Sequence, residues 1–241
     1  MAPPRPWSAI PIQERQDPLQ EIPAVLLRIE PHPYQVLGAP YGPGASPFRL
    51  RRAVVNRLVQ AQSTLEALAP GLRLAIFDGW RPVAVQAFMV DHAVASTCQE
   101  RGVDTGQPTP ARLAIELEVA RFWAPPSLDP ATPPPHSTGA AVDLTLADAQ
   151  GLPLNLGSPI DAIGAVSEPD HFAEAAASNP EAEAALWHGR RQLLLEVMVS
   201  AGFRRHPNEW WHFSHGDQLW AWLSGADAAC YGRYLGEEGS S

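Results

Sequence analysis

Apolar residues recur every three or four positions from about Phe48 to Leu68, a spacing that places them on one face of a helix. The residues on this face are Leu50, Val54, Leu58, Ala61, Leu65 and Leu68. Ala69-Pro70-Gly71 follows, and this combination predicts that the helix ends there. A second helix is predicted from Pro82, because proline suits the first helical turn. Its predicted buried face carries Val85, Phe88, Met89 and His92. Two further helices are predicted at about residues 111–122 and 181–201, the second closed by Gly202.

Strict alternation of apolar and polar residues predicts strands elsewhere in the chain. Residues 72–77 alternate in this way, and so do residues 140–147. In the second strand Val142, Leu144 and Leu146 face one side, whereas Ala141, Asp143 and Thr145 face the other. Additional short strands are predicted near residues 152–156, 203–205, 209–214 and 219–223, and residues 157–180 are predicted to be loop.

Helices and strands are segregated along the chain more than they alternate, which favours an α+β fold in a single domain. We expect a small, mostly antiparallel sheet with the helices packed against it. Residues 1–24 contain repeated prolines and are predicted to form an extended arm, here called the N-terminal arm. Residues 25–241 are predicted to form the folded domain.

Composition and charge narrow the classes of partner. The formal net charge is −9 and basic runs are absent, which argues against nucleic acid or an anionic membrane surface as a partner. The N-terminal residues have no apolar core typical of a signal peptide, and no window is long enough to span a membrane, so we expect a cytoplasmic protein. Cys98 and Cys230 are either two free thiols or one disulfide, and they form no disulfide framework. The sequence leaves the oligomeric state open.

Two segments carry the candidate chemistry. Pro135–Asp143 contains His136 and Asp143, and Glu209-Trp210-Trp211-His212 places a carboxylate three residues before a histidine. Together they supply three possible metal ligands and a possible base, the set that a catalytic zinc site requires. His136 and Asp143 are seven residues apart, so within one strand their side chains would point to opposite faces. Both can bind the same metal ion only if His136 lies in a loop and Gly139 turns the chain. The alternative is an ordinary surface histidine and strand aspartate.

Glu209 and His212 can act at one site only if the chain between them departs from a regular strand. The aromatic run after Pro207-Asn208 looks like a strand, in which residues three apart point to opposite faces. A turn or bulge at Glu209 is therefore needed to bring both side chains to one site. The alternative is a buried aromatic strand whose histidine forms an ordinary hydrogen bond.

Arg81 follows a predicted strand and precedes a predicted helix in Asp78-Gly79-Trp80-Arg81-Pro82, a position from which side chains often reach a cleft. A guanidinium there could stabilise a developing oxyanion through charge-assisted hydrogen bonds. The alternative is a structural arginine paired with Asp78, and the residues alone do not decide between the two.

Three motifs in order resemble the D-alanyl-D-alanine dipeptidases of the vancomycin-resistance type. They are Asp-Gly-Trp-Arg-Pro at 78–82, His-x-x-Gly-x-Ala-x-Asp-Leu-Thr-Leu at 136–146, and Glu-Trp-Trp-His-Phe at 209–213. The resemblance extends from about residue 25 to residue 215. It implies a zinc peptidase related in fold to D,D-carboxypeptidases and hedgehog domains, with residues 25–241 as the catalytic domain.

The resemblance also implies roles for individual residues. His136, Asp143 and His212 would bind one Zn²⁺ per chain, Glu209 would act as general base and acid, and Arg81 would stabilise the tetrahedral intermediate. Asp161 is similar to a family position near the amino end of the bound dipeptide. The family usually has serine two residues before the first histidine, whereas this chain has Pro134. This difference bears on the preference for D-Ala-D-Ala and not on hydrolysis itself.

Three functions are therefore considered. The first is zinc-dependent hydrolysis of the D-alanyl-D-alanine dipeptide to two D-alanines, in cell-wall precursor metabolism or recycling. The second is a D,D- or L,D-carboxypeptidase that acts on peptidoglycan stem peptides. The third is a non-catalytic zinc-binding module, which the presence of both Glu209 and Arg81 disfavours.

Overall fold

The computed structural model describes residues 5–123 and 126–235. Its strands are β1 (Leu19–Glu21), β2 (Leu27–Arg28), β3 (Arg49–Arg51), β4 (Arg73–Asp78), β5 (Ala141–Ala147), β6 (Arg204–Arg205) and β7 (His212–Ser214). Its α-helices are α1 (Pro33–Val36), α2 (Arg52–Leu68), α3 (Val83–Glu100), α4 (Pro110–Phe122), α5 (Ala173–Ser178), α6 (Glu183–Ser200) and α7 (Gln218–Ser224).

The central sheet has the strand order β2-β4-β5-β7-β6. β2 and β4 are parallel, and the other neighbouring pairs are antiparallel. β1 and β3 form a separate antiparallel pair. The predicted α+β fold, with a mostly antiparallel sheet and packed helices, is confirmed.

One face of the sheet packs against α2 and α6. Val142, Leu144 and Leu146 on β5 are buried in the same apolar cluster as Leu58 of α2 and Leu194 of α6. Each of these five side chains is 0% exposed, so this cluster forms the main core. The alternation predicted for residues 140–147 therefore assigns the core-facing side of β5 correctly, and Asp143 and Thr145 lie on the other face.

A second apolar cluster lies beside the first and includes residues of α1, α3 and α4. Its buried members are Tyr34, Tyr41, Val85, Met89, Cys98, Ile115, Val119 and Trp123. Cys98 and Cys230 are both free thiols, which is the first of the two alternatives considered for them.

Two predicted elements differ from the structure at residues where short patterns are ambiguous. The helix predicted from Phe48 begins at Arg52, because Arg49–Arg51 pair with β1 as a strand. The strand predicted at 219–223 is wrong, since these residues lie in α7. The Asp217 carboxylate accepts a hydrogen bond from the Trp220 backbone N–H, and Gly225 ends the helix in the left-handed conformation, so the two ends of α7 are capped.

The residues around the site show three further differences. The segment 157–180, predicted as loop, contains a 3-10 helix at Ala165–Ser167 and α5. The strand predicted near 152–156 is reduced to one bridge between Ala147 and Pro153. The strand predicted at 209–214 begins only at His212.

Residues 1–4 of the N-terminal arm lie outside the described residues. The described part contains a 3-10 helix at Pro6–Ala9 and strand β1. Ile12 pairs with Ala229 near the other end of the chain. The division into an arm and a catalytic domain stays a prediction. No helix within the described residues is long and apolar enough to cross a membrane.

Candidate active site

The centre of the sheet aligns three polar residues on adjacent strands. Asp78 at the end of β4 pairs in register with Asp143 on β5, and Asp143 pairs with His212 on β7. A register irregularity between Ile76 and Asp78 brings Asp78 into this row. The three side chains are almost fully buried, so the fold places two carboxylates and an imidazole together in a low-dielectric environment.

His136 reaches this row from outside the sheet. It lies in a 3-10 helix at Pro135–Thr138, which Gly139 ends with a left-handed φ of 72°. The Gly139 N–H donates to the His136 carbonyl, and the Arg81 N–H donates to the same oxygen. The turn at Gly139 that the sequence requires is therefore present, and it aims His136 back at Asp143.

The geometry of His136, Asp143 and His212 fits one metal ion. His136 Nε2 lies 3.2 Å from Asp143 Oδ2, His212 Nδ1 lies 3.0 Å from Asp143 Oδ1, and the two imidazole nitrogens are 3.3 Å apart. Two ligands bound to tetrahedral zinc at about 2.0–2.1 Å lie about 3.3–3.4 Å from each other. Two imidazoles and one carboxylate are also a common donor set of catalytic zinc sites. The residues present therefore fit the metal that the motifs imply.

Partners outside this cluster orient both imidazoles. His136 Nδ1 lies 2.7 Å from the Gly79 carbonyl, so Nδ1 carries the proton and Nε2 is free to bind a metal. On the other ring, His212 Nε2 lies 3.4 Å from Ser214 Oγ, which donates to Asp217 Oδ2 at 2.8 Å. These contacts leave His212 Nδ1 as the ligand atom. Each ring is held in the tautomer that metal binding requires.

Burial and the neighbouring histidines shift the pKa of Asp143 in opposite directions. Burial raises the pKa of its carboxyl, but His136 and His212 outweigh this effect and lower the pKa well below its ordinary value. Asp143 is therefore ionised at neutral pH, the state in which a carboxylate binds a metal.

Glu209 lies beside the cluster at the turn that precedes β7. Its Oε2 lies 3.7 Å from His212 Nδ1, and its Oε1 lies 3.7 Å from His206 Nδ1. Burial, and then the negative charge of Asp143, raise the pKa of the Glu209 carboxyl well above its ordinary value. A carboxylate with a raised pKa is a stronger base, which suits proton transfer near neutral pH. Because the strand begins only at His212, the turn brings Glu209 and His212 to the same side.

The position of Arg81 is compatible with both alternatives that the sequence left open. Its Nε donates to Asp78 Oδ2 at 2.8 Å and its Nη1 donates to Gln86 Oε1 at 2.7 Å. Its Nη2 also lies 3.5 Å from Asp143 Oδ2, so the guanidinium borders the candidate metal site. Arg81 is thus paired with Asp78 and at the same time lines the cavity described next.

One cavity contains the whole constellation. The empty space in it is about 490 Å³, including the part that is open to solvent. His136, Asp143, His212, Glu209, Arg81 and Asp161 all line it. The structure therefore brings every candidate site residue from the sequence to one place.

Asp161 belongs to this cavity through a loop. Its φ is 64°, a left-handed conformation, and its Oδ2 accepts a 2.6 Å hydrogen bond from the Tyr34 hydroxyl. Burial, and then the nearby charge of Asp143, raise the pKa of Asp161 to about 7. A half-buried carboxylate with one protein donor, as here, retains the capacity to accept further hydrogen bonds from a ligand.

Comparison with known proteins decides the family. The peptidase M15 model, described as D-Ala-D-Ala dipeptidase, matches residues 28–228. The chain belongs to this family. The family predicted from the three motifs is confirmed, and membership makes the chain a peptidase in which His136, Asp143 and His212 form a possible metal site.

The alignments of this D-Ala-D-Ala dipeptidase family member with its relatives cover most of its length. The D-alanyl-D-alanine dipeptidase of Synechocystis is 45% identical over 222 residues, which cover 90% of each chain. The D-alanyl-D-alanine dipeptidase of Enterococcus faecalis is 30% identical over 69% of this chain and 73% of that protein. Among solved structures, VanYB in complex with D-Alanine-D-Alanine is 18% identical, with a TM-score of 0.44, and covers 74% of this chain and 79% of that chain.

Some cavity residues of this family member were not found from the sequence. Arg5, Gln86, Trp123 and His206 also line the cavity. His206 lies three residues before Glu209, a spacing that is informative only once the intervening turn is known. Arg5 lies in the N-terminal arm, where no pattern of the sequence indicates a site.

His215, three residues after His212, lies outside the candidate metal site. Its Nδ1 is 2.9 Å from the Gly202 carbonyl, and its ring contacts Phe203 and Trp220. Its role in the described structure is therefore packing beside α6.

Proposed function

We propose that this chain hydrolyses the D-alanyl-D-alanine dipeptide with one zinc ion bound by His136, Asp143 and His212. The observation that carries the proposal is the convergence of His136, Asp143 and His212, each of which offers one ligand atom within 4.8 Å of the other two, beside the buried Glu209. Membership of the D-Ala-D-Ala dipeptidase family supports the choice of substrate. The 45% identity to the Synechocystis dipeptidase supports it further.

Zinc, when bound, would polarise the scissile carbonyl and lower the pKa of a water molecule at the site. The protein supplies the remaining chemistry. Glu209 takes the proton from the attacking water and later delivers it to the leaving amine. Its raised pKa lets one carboxyl group perform both transfers near neutral pH.

Arg81 stabilises the oxyanion that forms on the carbonyl oxygen. Its guanidinium is held rigidly by Asp78 and Gln86 and is 3% exposed, so its position is set before substrate binds. Buried pairing with Asp78 outweighs desolvation and keeps the pKa of Arg81 raised above its ordinary value. The charge therefore persists in a site from which water is largely excluded.

Asp161 binds the ammonium of the dipeptide. Tyr34 fixes one carboxylate oxygen of Asp161, and the residue lines the same cavity as Glu209. A longer peptide has an amide in place of the ammonium, and Asp161 would then lose its charged partner inside the cavity. This difference favours a free dipeptide over a stem peptide.

The proposal is tested with the purified, zinc-loaded protein and a panel of D,D-, L,D- and L,L-dipeptides, with a D-Ala-terminated pentapeptide as the control substrate. We expect release of D-alanine from D-Ala-D-Ala with kcat/KM at least about a hundredfold above that for the pentapeptide. Preferential release of D-Ala from the pentapeptide would instead identify a carboxypeptidase. Zinc binding without cleavage of any peptide would identify a non-catalytic module.

A further inference from the structure

The N-terminal arm contributes one side chain to the candidate active site. Arg5 is half-buried and lines the same cavity as Glu209 and the three candidate ligands. Its guanidinium lies over Trp7, Trp7 contacts the ring of His206, and His206 Nδ1 is 3.7 Å from Glu209 Oε1, so Arg5 lies on the Glu209 side of the cavity. Arg5 is therefore a positive charge at the cavity that neither the motifs nor the proposed mechanism uses.

The position of Arg5 is set by neighbouring aromatic residues. Its guanidinium lies over the Trp7 ring, 5.4 Å from the ring centroid. Trp7 is buried and contacts the rings of His206 and Trp222, each with its centroid 5.7 Å away. Gln218 Nε2 donates a 2.6 Å hydrogen bond to the Ile10 carbonyl, which holds the chain after this turn. These contacts anchor the arm beside the cavity.

The guanidinium has donor capacity left. Within the described part of the chain, its hydrogen bond is a long one, from Nη2 to the Ala120 carbonyl at 3.4 Å. A guanidinium has five N–H donors, and two of them can bind a carboxylate side by side. Arg81, the other arginine of the cavity, already donates to Asp78 and Gln86. Since the proposed function assigns Arg81 to the oxyanion, Arg5 is the cavity arginine left to bind a carboxylate of the substrate.

The chemistry of a dipeptide places its carboxylate near Glu209. The leaving nitrogen, which Glu209 protonates, is bonded to the same Cα that bears the terminal carboxylate. The ammonium lies on the other side of the scissile carbonyl, where the proposed function assigns Asp161. A cation beside Glu209 is therefore on the side of the carboxylate and not of the ammonium.

We infer that Arg5 binds the terminal carboxylate of the dipeptide and is a specificity-determining residue. This inference rests on the proposed function. It makes the N-terminal arm part of the substrate-binding site, with Trp7 as the residue that positions Arg5.

The test compares D-Ala-D-Ala with D-alanyl-D-alaninamide, which has the same scissile bond and no terminal charge. For Arg5→Gln we expect kcat/KM on D-Ala-D-Ala to fall about tenfold to a hundredfold, mainly through KM, because a hydrogen bond to a charged group is lost. On the amide the same variant should stay within about threefold of the wild type. Arg5→Lys retains the charge and should recover part of the loss.

Arg15→Gln is the matched control, since Arg15 is an exposed arginine of the same arm. It should match the wild type on both substrates. Thermal unfolding of each variant verifies that the fold is intact. An Arg5→Gln variant that loses activity equally on both substrates, or on neither, would overturn the assignment of Arg5. A wild-type protein that cleaves neither substrate would refute the proposed function, and the inference with it.

Discussion

At the scale of single residues, the site depends on three carboxyl groups whose surroundings differ. Two histidines lower the pKa of Asp143 in spite of its burial, whereas burial and the charge of Asp143 raise the pKa values of Asp161 and Glu209. Asp143 is therefore suited to bind a cation, whereas Asp161 and Glu209 hold a proton more readily than ordinary carboxyl groups do.

Replacing Asp143 with alanine tests its assignment as a ligand. The variant loses one of three protein donors, so we expect zinc affinity to fall by at least about a hundredfold. Competition with a chelator of known affinity measures the change. Asp148→Ala, in the exposed turn after β5, is a suitable control. Zinc affinity equal to that of the wild type in Asp143→Ala would remove this residue from the ligand set.

The raised pKa of Asp161 leads us to expect that KM depends on pH. Its pKa of about 7 is above the ordinary value of a carboxyl group, so it loses its charge as the pH falls below 7. The KM for D-Ala-D-Ala should therefore rise toward acid pH, while Asp161→Asn should show a high KM that no longer changes with pH. The fall of kcat at low pH, which arises from Glu209, should persist in the variant. A wild-type KM that is constant from pH 5 to 8 would contradict the proposed role of Asp161.

At the scale of elements, strand register and one glycine turn assemble the site. Register places Asp78, Asp143 and His212 side by side on three strands, and Gly139 directs His136 toward them. Gly139 has a positive φ, and a Cβ added there would overlap Leu19 Cδ2 and lie 3.4 Å from the Arg51 backbone nitrogen. The position therefore requires glycine for two reasons, its conformation and its close contacts.

Gly139→Ala and Gly102→Ala separate these two reasons. Both glycines have a positive φ, but a Cβ at Gly102 meets nothing within 4 Å. We expect Gly102→Ala to lower the free energy of unfolding by about 1–2 kcal/mol, which is the conformational cost alone. Gly139→Ala should lower it by about 2–4 kcal/mol, because overpacking adds to that cost. Urea denaturation measures both values, and equal losses would show that the contacts of Gly139 have no effect.

At the scale of the whole molecule, periodicity predicted the long elements well. The core-facing positions of β5 follow from a two-residue period, and the buried face of α2 follows from a spacing of three to four residues, because these segments are long enough for the pattern to be distinct. Residues 219–223 show the limit of the method. Leu-Trp-Ala-Trp-Leu is a short, wholly apolar run that fits a buried strand as well as a helix, and the caps at Asp217 and Gly225 make it a helix.

The motifs predicted the candidate ligands and Glu209 because their residue types and order are distinctive. The cavity residues Arg5 and His206 could not be predicted in this way. Arg5 reaches the site only because Trp7 packs against residues about two hundred positions later in the chain. Sequence patterns describe local structure, and such distant packing is not encoded in any local pattern.

Zinc binding should stabilise the whole molecule, since its ligands come from separate parts of the chain and are assembled only in the folded state. Saturation at a thousandfold above the dissociation constant adds about 4 kcal/mol to the free energy of unfolding. A chelator should therefore lower the Tm, and added zinc should restore it. Calorimetry of wild type and Asp143→Ala provides the comparison, because the variant should respond much less. Identical Tm values with and without chelator in the wild type would contradict a shared metal site.

The most direct test of the account is the Glu209→Gln variant, assayed for zinc content and for D-Ala-D-Ala turnover in the same preparation. Glutamine preserves the shape of Glu209 and cannot accept the proton of water. We predict one zinc ion per chain, as in the wild type, and a loss of kcat by about a hundredfold or more. Turnover equal to that of the wild type at full zinc occupancy would contradict the central claim that Glu209 is the base of a zinc-dependent dipeptidase.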